Sequence, residues 1–269
     1  MFGGRDRTAA ALVLPTRPLH EMYAEPARVF IEQHGGTVRT GASATIHLKA
    51  GSRPVVVCGE DEWRVPSVIV AVPWFVLPTL FVGDVAPLAP LIEAAKATTA
   101  SPIATVNLWF DRPVMDEPFL GLPGRVLQWV FDKRLIFEGA GRRTSHLSLV
   151  SSGAGEAVHW TNEKLIAVAR QELEQALPLV RAAQLINATV IREPRATFSL
   201  APGQPARPST ATTVPGVFLA GDWIDTGLPA TIESAVRSGH RAAHAVITAS
   251  PPTSVDESTR MSGPEPVKM

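Results

Sequence analysis

Cysteine is nearly missing: Cys58 stands alone in 269 residues. That excludes an internal disulfide framework and any cysteine-rich metal site, and it fits a reducing cytoplasm. There is no excess of charge either, since 25 Lys plus Arg balance 25 Asp plus Glu. No global field therefore draws the chain to nucleic acid or to an anionic membrane. No apolar run approaches the length of a membrane-spanning helix, and the opening MFGGRDRTAAALVLP lacks the long apolar region of a signal peptide. A G-x-S-x-G elbow is absent, and LHEMY begins like a zinc-protease helix but has no second histidine at the required spacing. Of the seven histidines only His240 and His244 share a helical face, and no third ligand accompanies them. They read as a solvated or interface pair, and no metal is expected. No internal repeat is found.

What is present starts with 45% apolar content, ample for a core. The most informative stretch is VFLAGDWIDTGLPATIESAVRSGHRAAHAV, Val217 to Val246. Val217 to Ala220 is a short uncharged run, as expected of a strand buried on both faces. Gly221 permits a sharp turn, and Asp222 sets a carboxylate at the strand's carboxyl end, where open α/β sheets bind ligands. Pro229 suits the first position of a helix that runs through Ala235, Gly239 and Ala243, a stripe of small residues able to press against a sheet or a flat cofactor. Leu228, just before it, has no side-chain oxygen for capping, so the first amides, near Ala230, Thr231 and Ile232, are expected to be free for a ligand carrying negative charge.

Elsewhere the pattern predicts a helix over Glu21–His34 stopped by Gly35-Gly36, and short strands at Thr37–Thr40 and Ala44–Lys49 joined by a turn at Gly41. A hairpin of Val55–Gly59 with Trp63–Val65 follows, and then a buried strand, Ser67–Val72, closed by Pro73. Leu88–Thr98 and Asn162–Leu177 read as helices, the second with Leu165, Ile166, Ala169, Leu173 and Leu177 on one face. Strands are expected at Val106–Phe110, where Val106, Leu108 and Phe110 alternate, and at Val126–Phe131, Leu135–Glu138, His146–Val150 and Ala188–Arg195. Phe198–Pro215 reads as a Pro-rich loop, and the tail after Ala249 has the composition of a disordered segment.

Strand, Gly-Asp, loop, Pro and small-faced helix together resemble the C-terminal cofactor motif of the flavin amine oxidase and phytoene desaturase superfamily. The stretches LVLPTRPLHEMYAEPARVFIEQHGGTVRTGA, LQWVFDK and AGDWIDTGLPATIESAVRSG further resemble one branch, the squalene-associated FAD-dependent desaturases understood as hydroxysqualene dehydroxylases of hopanoid biosynthesis. The resemblance spans about residues 12 to 248. It implies an α/β fold (α+β mixed): part of a Rossmann-like FAD-binding domain with an inserted mixed-sheet substrate domain. The implied division is an irregular lead-in (1–19), a second FAD-domain segment (20–73), a substrate domain (74–192), a C-terminal FAD-domain segment (193–248) and the tail (249–269).

By that resemblance the cofactor is FAD. Asp222 would hydrogen-bond its ribitol or pyrophosphate region, the amides near Ala230, Thr231 and Ile232 would face the pyrimidine edge of the flavin, Gly221 and Pro229 would belong to the same cofactor site, and Ala44 would match a backbone contact to adenine. A flavoprotein of this type begins with a G-x-G-x-x-G turn, and this sequence has none. Gly153-Ala154-Gly155 comes nearest and reads as a surface turn. The chain is thus expected to be the C-terminal part of a longer enzyme, truncated or split from its N-terminal Rossmann half, which would be its partner.

The activity implied is reductive removal of the hydroxyl of hydroxysqualene, a hydrophobic isoprenoid, giving squalene. Trp74, Phe75, Leu77, Phe110, Trp129 and Phe131 are candidate pocket walls, with ordinary core packing as their other reading. No catalytic acid is assigned; Asp132 reads as a turn residue. Arg192, Arg195 and Arg207 are able to meet a pyrophosphate, although surface solvation is the simpler reading. The expected location is cytoplasmic, with peripheral contact at the inner face of the membrane to reach a greasy substrate. Two other readings stay open: a carotenoid-type desaturase or amine oxidase on the same fold, and a non-catalytic remnant unable to hold FAD.

Overall fold

Two-residue alternation builds the strands of the five-stranded sheet. The computed structural model describes residues 13–139, 141 and 143–249. In chain order its elements are helix α1 (Glu25–Gln33), entered through a π-turn at His20–Ala24; strands β1 (Thr45–Leu48), β2 (Val55–Cys58), β3 (Asp61–Arg64) and β4 (Val68–Val70); helix α2 (Leu77–Leu80); strand β5 (Phe81–Gly83); and helix α3 (Ala89–Ala97). There follow β6 (Ala100–Phe110), β7 (Phe119–Gly121), β8 (Trp129–Asp132), helix α4 (Lys133–Ile136), β9 (Ser145–Ser152), helix α5 (Asn162–Ala176), β10 (Leu185–Phe198), β11 (Val217–Leu219) and helix α6 (Ile232–Ala249). The tail expected to be disordered lies outside the described residues, as does the start of the lead-in.

The chain divides into two units, residues 1–41 with 99–202 and residues 42–98 with 203–269. In the first, antiparallel pairings set a five-stranded sheet in the order β10-β6-β9-β8-β7. Ala104, Val106, Leu108 and Phe110 on β6 and Leu147 and Leu149 on β9 are fully buried. They pack with Leu165, Ala169 and Leu173 of α5, the stripe its 3.6-residue period predicts. Each such side chain contributes about 1.5–3 kcal/mol on leaving water. Thr161 caps α5 by accepting from the Lys164 amide at 3.2 Å.

The second unit holds a four-stranded sheet, β3-β2-β1-β5, in which β1 and β5 run parallel, and a parallel pair, β4 with β11. Helix α6 packs on β11. Among the described residues no helix is long and apolar enough to cross a membrane.

Several local expectations are corrected. Thr37–Thr40 forms no strand: the chain leaves α1 through Gly35 in a left-handed conformation and finds no pairing partner until β1. Strand β8 begins at Trp129 and not at Val126, because the Val126 and Leu127 amides donate to the Glu172 carboxylate of α5 (2.8 and 3.0 Å) instead of to a neighbouring strand. Leu135–Glu138 is not a strand; Asp132 accepts from the Arg134 amide at 2.9 Å and starts the short helix α4 across Leu135 and Ile136. The helix read as starting at Leu88 is preceded by a 3-10 turn, Ala86–Leu88, and its α-helical part starts at Ala89.

Candidate functional site

The Gly-Asp turn is built from the buried strand upward. Val217, Phe218 and Leu219 are buried and pair in parallel with Val68, Ile69 and Val70; the Ala220 amide extends the ladder to the Val70 carbonyl at 2.9 Å. Gly221 then takes φ +135°, and a Cβ there would lie 2.8 Å from the indole of Trp223. Only glycine allows both the turn and the packed ring. The indole is fixed in its turn by Nε1–H donating to the Val72 carbonyl at 2.9 Å.

Helix α6 closes on this turn through a small-residue seam, but not the one its apolar residues suggest. Ser234, Ser238 and Ala242 are fully buried, whereas Ala235 and Gly239 are only half-buried and Ala243 is exposed. The seam is shifted by one residue because the two serines find backbone partners. Ser238 Oγ accepts from the Gly221 amide at 2.7 Å and donates to the Ala235 carbonyl at 2.6 Å, and Ser234 Oγ donates to the Asp222 carbonyl at 3.1 Å.

The start of α6 is corrected as well. It begins at Ile232, three residues after Pro229, and Thr231 Oγ1 accepts from the Ser234 amide at 3.2 Å. The helix therefore carries its own side-chain cap, which leaves the amides of Ile232 and Glu233 ahead of the capped one, without intrahelical partners.

The residue that organises the loop between strand and helix is Arg207. Its guanidinium donates to the carbonyls of Trp223 (3.1 Å), Leu228 (2.6 Å), Asp222 (3.0 Å) and Ile224. Surface solvation is thus the wrong description: the rigid fork of donors folds residues 222–228 around itself. Burial lowers the Arg207 pKa, against the pull of Asp225 and Asp222, yet a guanidinium stays charged. Burial likewise pushes the Asp222 carboxyl up, outweighing Arg207 and the backbone amides. Arg192 is similarly engaged, donating to the carbonyls of Val158 (3.0 Å) and Trp160 (2.6 Å) and to Asn162 (2.7 Å).

Gly221, Asp222, Pro229, Ala230, Thr231 and Ile232 thus fall in one strand-loop-helix segment, and Ala44 is exposed immediately before β1 in the same unit. The turn at Gly221, the half-buried Asp222 carboxylate and the leading amides of α6 are the groups in this segment that could hold a cofactor. Of the proposed pocket walls, Trp129 and Phe131 lie on the open face of the five-stranded sheet, 6.5 Å apart between centroids, with Phe119 6.3 and 6.2 Å from them. Phe110 points the other way into the core, and Trp74 and Leu77 are buried in the second unit, Trp74 edge-on to Phe75.

Lys133 lies over Phe131 and Phe137, and burial lowers its pKa. Asp132 is fully buried and ion-paired with Arg134 at 3.0 Å; burial nonetheless pushes its carboxyl up. Its role is the cap of α4, in line with the turn reading. His240 and His244 are exposed on α6, Gly153 forms a turn, and among the described residues no cluster of three or more His, Cys, Asp or Glu could hold a metal. Trp109 and His146, stacked on the same open face, went unnoticed in the sequence. The period that buries Val106, Leu108 and Phe110 already assigns Trp109 to the opposite side.

The parallel strand pair, the Gly-Asp turn and the small-faced helix, in one chain with an antiparallel sheet bearing an aromatic face, define the mixed α/β fold of the flavin-dependent amine oxidases. The chain belongs to that family: the model of the flavin containing amine oxidoreductases matches residues 4–247. Among proteins of known name it is similar to hydroxysqualene dehydroxylase of Sinorhizobium fredii, 32% identical over 232 residues covering 84% of this chain and 50% of that one. The Rhodopseudomonas palustris protein of the same name is 35% identical over 205 residues, 75% of this chain and 42% of the relative. The chain spans about half the length of these relatives. Among solved structures it is similar to a putative protoporphyrinogen oxidase from Exiguobacterium, with a TM-score of 0.59, 15% identity, and 79% and 48% of the two chains covered.

Proposed function

We propose that the chain is the C-terminal part of an FAD-dependent oxidoreductase that reductively removes the hydroxyl of hydroxysqualene. The reading rests above all on one observation: relatives named hydroxysqualene dehydroxylase are 32% and 35% identical across most of this chain. The Gly-Asp turn held on Arg207 supports the cofactor half of the reading. The unit that carries it would hold the flavin, with the leading amides of α6, the Asp222 carboxylate and the backbone at Ala44 as the groups that would contact it.

When bound in its reduced form, FAD supplies a hydride. The chain's own contribution is to bind, orient and exclude water. In balance, the C–O bond of an allylic alcohol breaks as its oxygen takes a proton and leaves as water, and a hydride forms the new C–H bond. Trp129, Phe131 and Phe119 offer ring faces to the hydrocarbon and to the positive charge that develops as water departs. Phe110 supports the sheet that bears this wall from its buried face. A substrate of this class partitions into lipid, so peripheral membrane contact belongs to the reading, as does a partner segment carrying the G-x-G-x-x-G turn.

The decisive experiment is visible absorption of the purified chain after FAD addition and desalting, alone and with a supplied N-terminal Rossmann half. Retention of flavin in the combined sample, followed by anaerobic conversion of hydroxysqualene to squalene, is the expected outcome. Failure to retain flavin in either sample overturns it and favours a non-catalytic remnant.

A further inference from the structure

The open face of the five-stranded sheet carries one polar device among its rings. Register pairs Trp109 with His146 and Asn107 with Ser148, and β8 sets Phe131 beside Ser148 on the other side. Alternation places these side chains on the face opposite Leu108, Leu147 and Leu149. The His146 ring stacks on Trp109, centroids 4.3 Å apart and planes 18° from parallel. Its Nε2 lies 3.3 Å from Oδ1 of Asn107, a residue only 9% exposed.

An amide oxygen only accepts, so Nε2 carries the hydrogen, and the neutral ring then presents its lone pair at Nδ1. The surroundings keep the ring neutral. Burial and the Lys133 ammonium from α4 lower its pKa, against a smaller pull from Asp132 on β8, whose carboxylate is tied to Arg134; β6 brings Asn107 and Trp109, neither charged. A neutral, stacked imidazole beside a row of aromatic rings is an acceptor for one O–H.

We propose that the His146–Asn107 pair anchors the single hydroxyl of an otherwise hydrocarbon ligand lying along the aromatic row. It thereby makes this face prefer an isoprenoid alcohol to the corresponding hydrocarbon. The inference rests on the isoprenoid reading above and adds to it the residues that recognise the hydroxyl. A hydrocarbon in the same place desolvates Nδ1 without giving it a partner, which is the asymmetry that separates hydroxylated ligands from their deoxy analogues. For a dehydroxylase the same preference favours release, because the product no longer satisfies the site.

The test is quenching of tryptophan fluorescence in the 269-residue chain by farnesol and by farnesene. Farnesol is expected to bind about tenfold more tightly, the worth of one hydrogen bond to an otherwise unpaired acceptor. His146→Phe keeps the stack on Trp109 and removes both nitrogens; it is expected to bring the two affinities together by weakening farnesol alone. Unchanged farnesene binding in that variant reports an intact face. In the unmodified protein, farnesol and not farnesene is expected to shift the Nδ1 resonance of His146, which needs no variant to fold. Survival of the alcohol preference in His146→Phe, or equal binding of both probes to the unmodified chain, overturns the anchor and leaves the isoprenoid reading standing. Binding of neither probe overturns both.

Discussion

Two side chains hold most of the local logic, and each does so through neighbours the sequence does not reveal. Arg207 sits in a Pro-rich loop, and nothing nearby in the sequence signals that the carbonyls of residues 222–228 gather around it. Arg207→Met leaves those half-buried acceptors without their donor. We expect a loss on the order of 2–4 kcal/mol in urea denaturation, with only part recovered by Arg207→Lys, because one ammonium does not span the same fan of acceptors. An unchanged midpoint for Arg207→Met would refute this role. His146 makes the second prediction. Its pKa is lowered from 6.5 in the fold, so as pH falls through that value the unfolded chain takes up the proton first. The stability this residue contributes is therefore complete at higher pH and is lost as pH falls towards its folded value. An NMR titration should show the His146 ring changing below 6.5, the ordinary imidazole value; a change at or above that value would remove the basis for a neutral ring.

At the scale of elements, legibility followed from how much of each signal is local. The strand with Val106, Leu108 and Phe110 and the helix with Leu165, Ala169 and Leu173 were readable because their periods match the faces they bury. Leu135–Glu138 was not, since a short apolar run suits strand or helix, and the deciding feature is the buried cap by Asp132. The Gly-Asp turn was plain in the sequence, but the seam of α6 was off by one. Serine counts as polar in a pattern, and only the fold reveals that Ser234 and Ser238 spend their hydroxyls on the turn backbone. This seam is sensitive to size. Ser238→Val should cost about 1–3 kcal/mol by overpacking against Gly221, whereas Thr231→Ala should cost about 1 kcal/mol through loss of the cap. Thermal denaturation of both variants tests the order, and a Ser238→Val protein as stable as the parent would show that α6 does not press on the turn.

For the molecule as a whole, the two units rest on very different sheets. The first has five strands with a helix-covered core. The second places its Gly-Asp turn on a parallel pair, β4 with β11, of three residues each. Parallel strands are ordinarily buried within larger sheets, and two strands alone are marginal in water. Ile69, in the middle of β4, is 42% exposed. Amide hydrogen exchange of the isolated chain should therefore be much faster at Val68–Val70 and Val217–Leu219 than at Val106–Phe110 and Leu147–Val150, since local opening tracks the packing that each segment shares. If a Rossmann half completes the sheet, adding it should slow exchange at β4 and β11 selectively and leave β6 and β9 as they were. Slow exchange at β4 and β11 in the chain alone would mean that the pair is already stabilised, and the cofactor turn would then need no added strand to be formed.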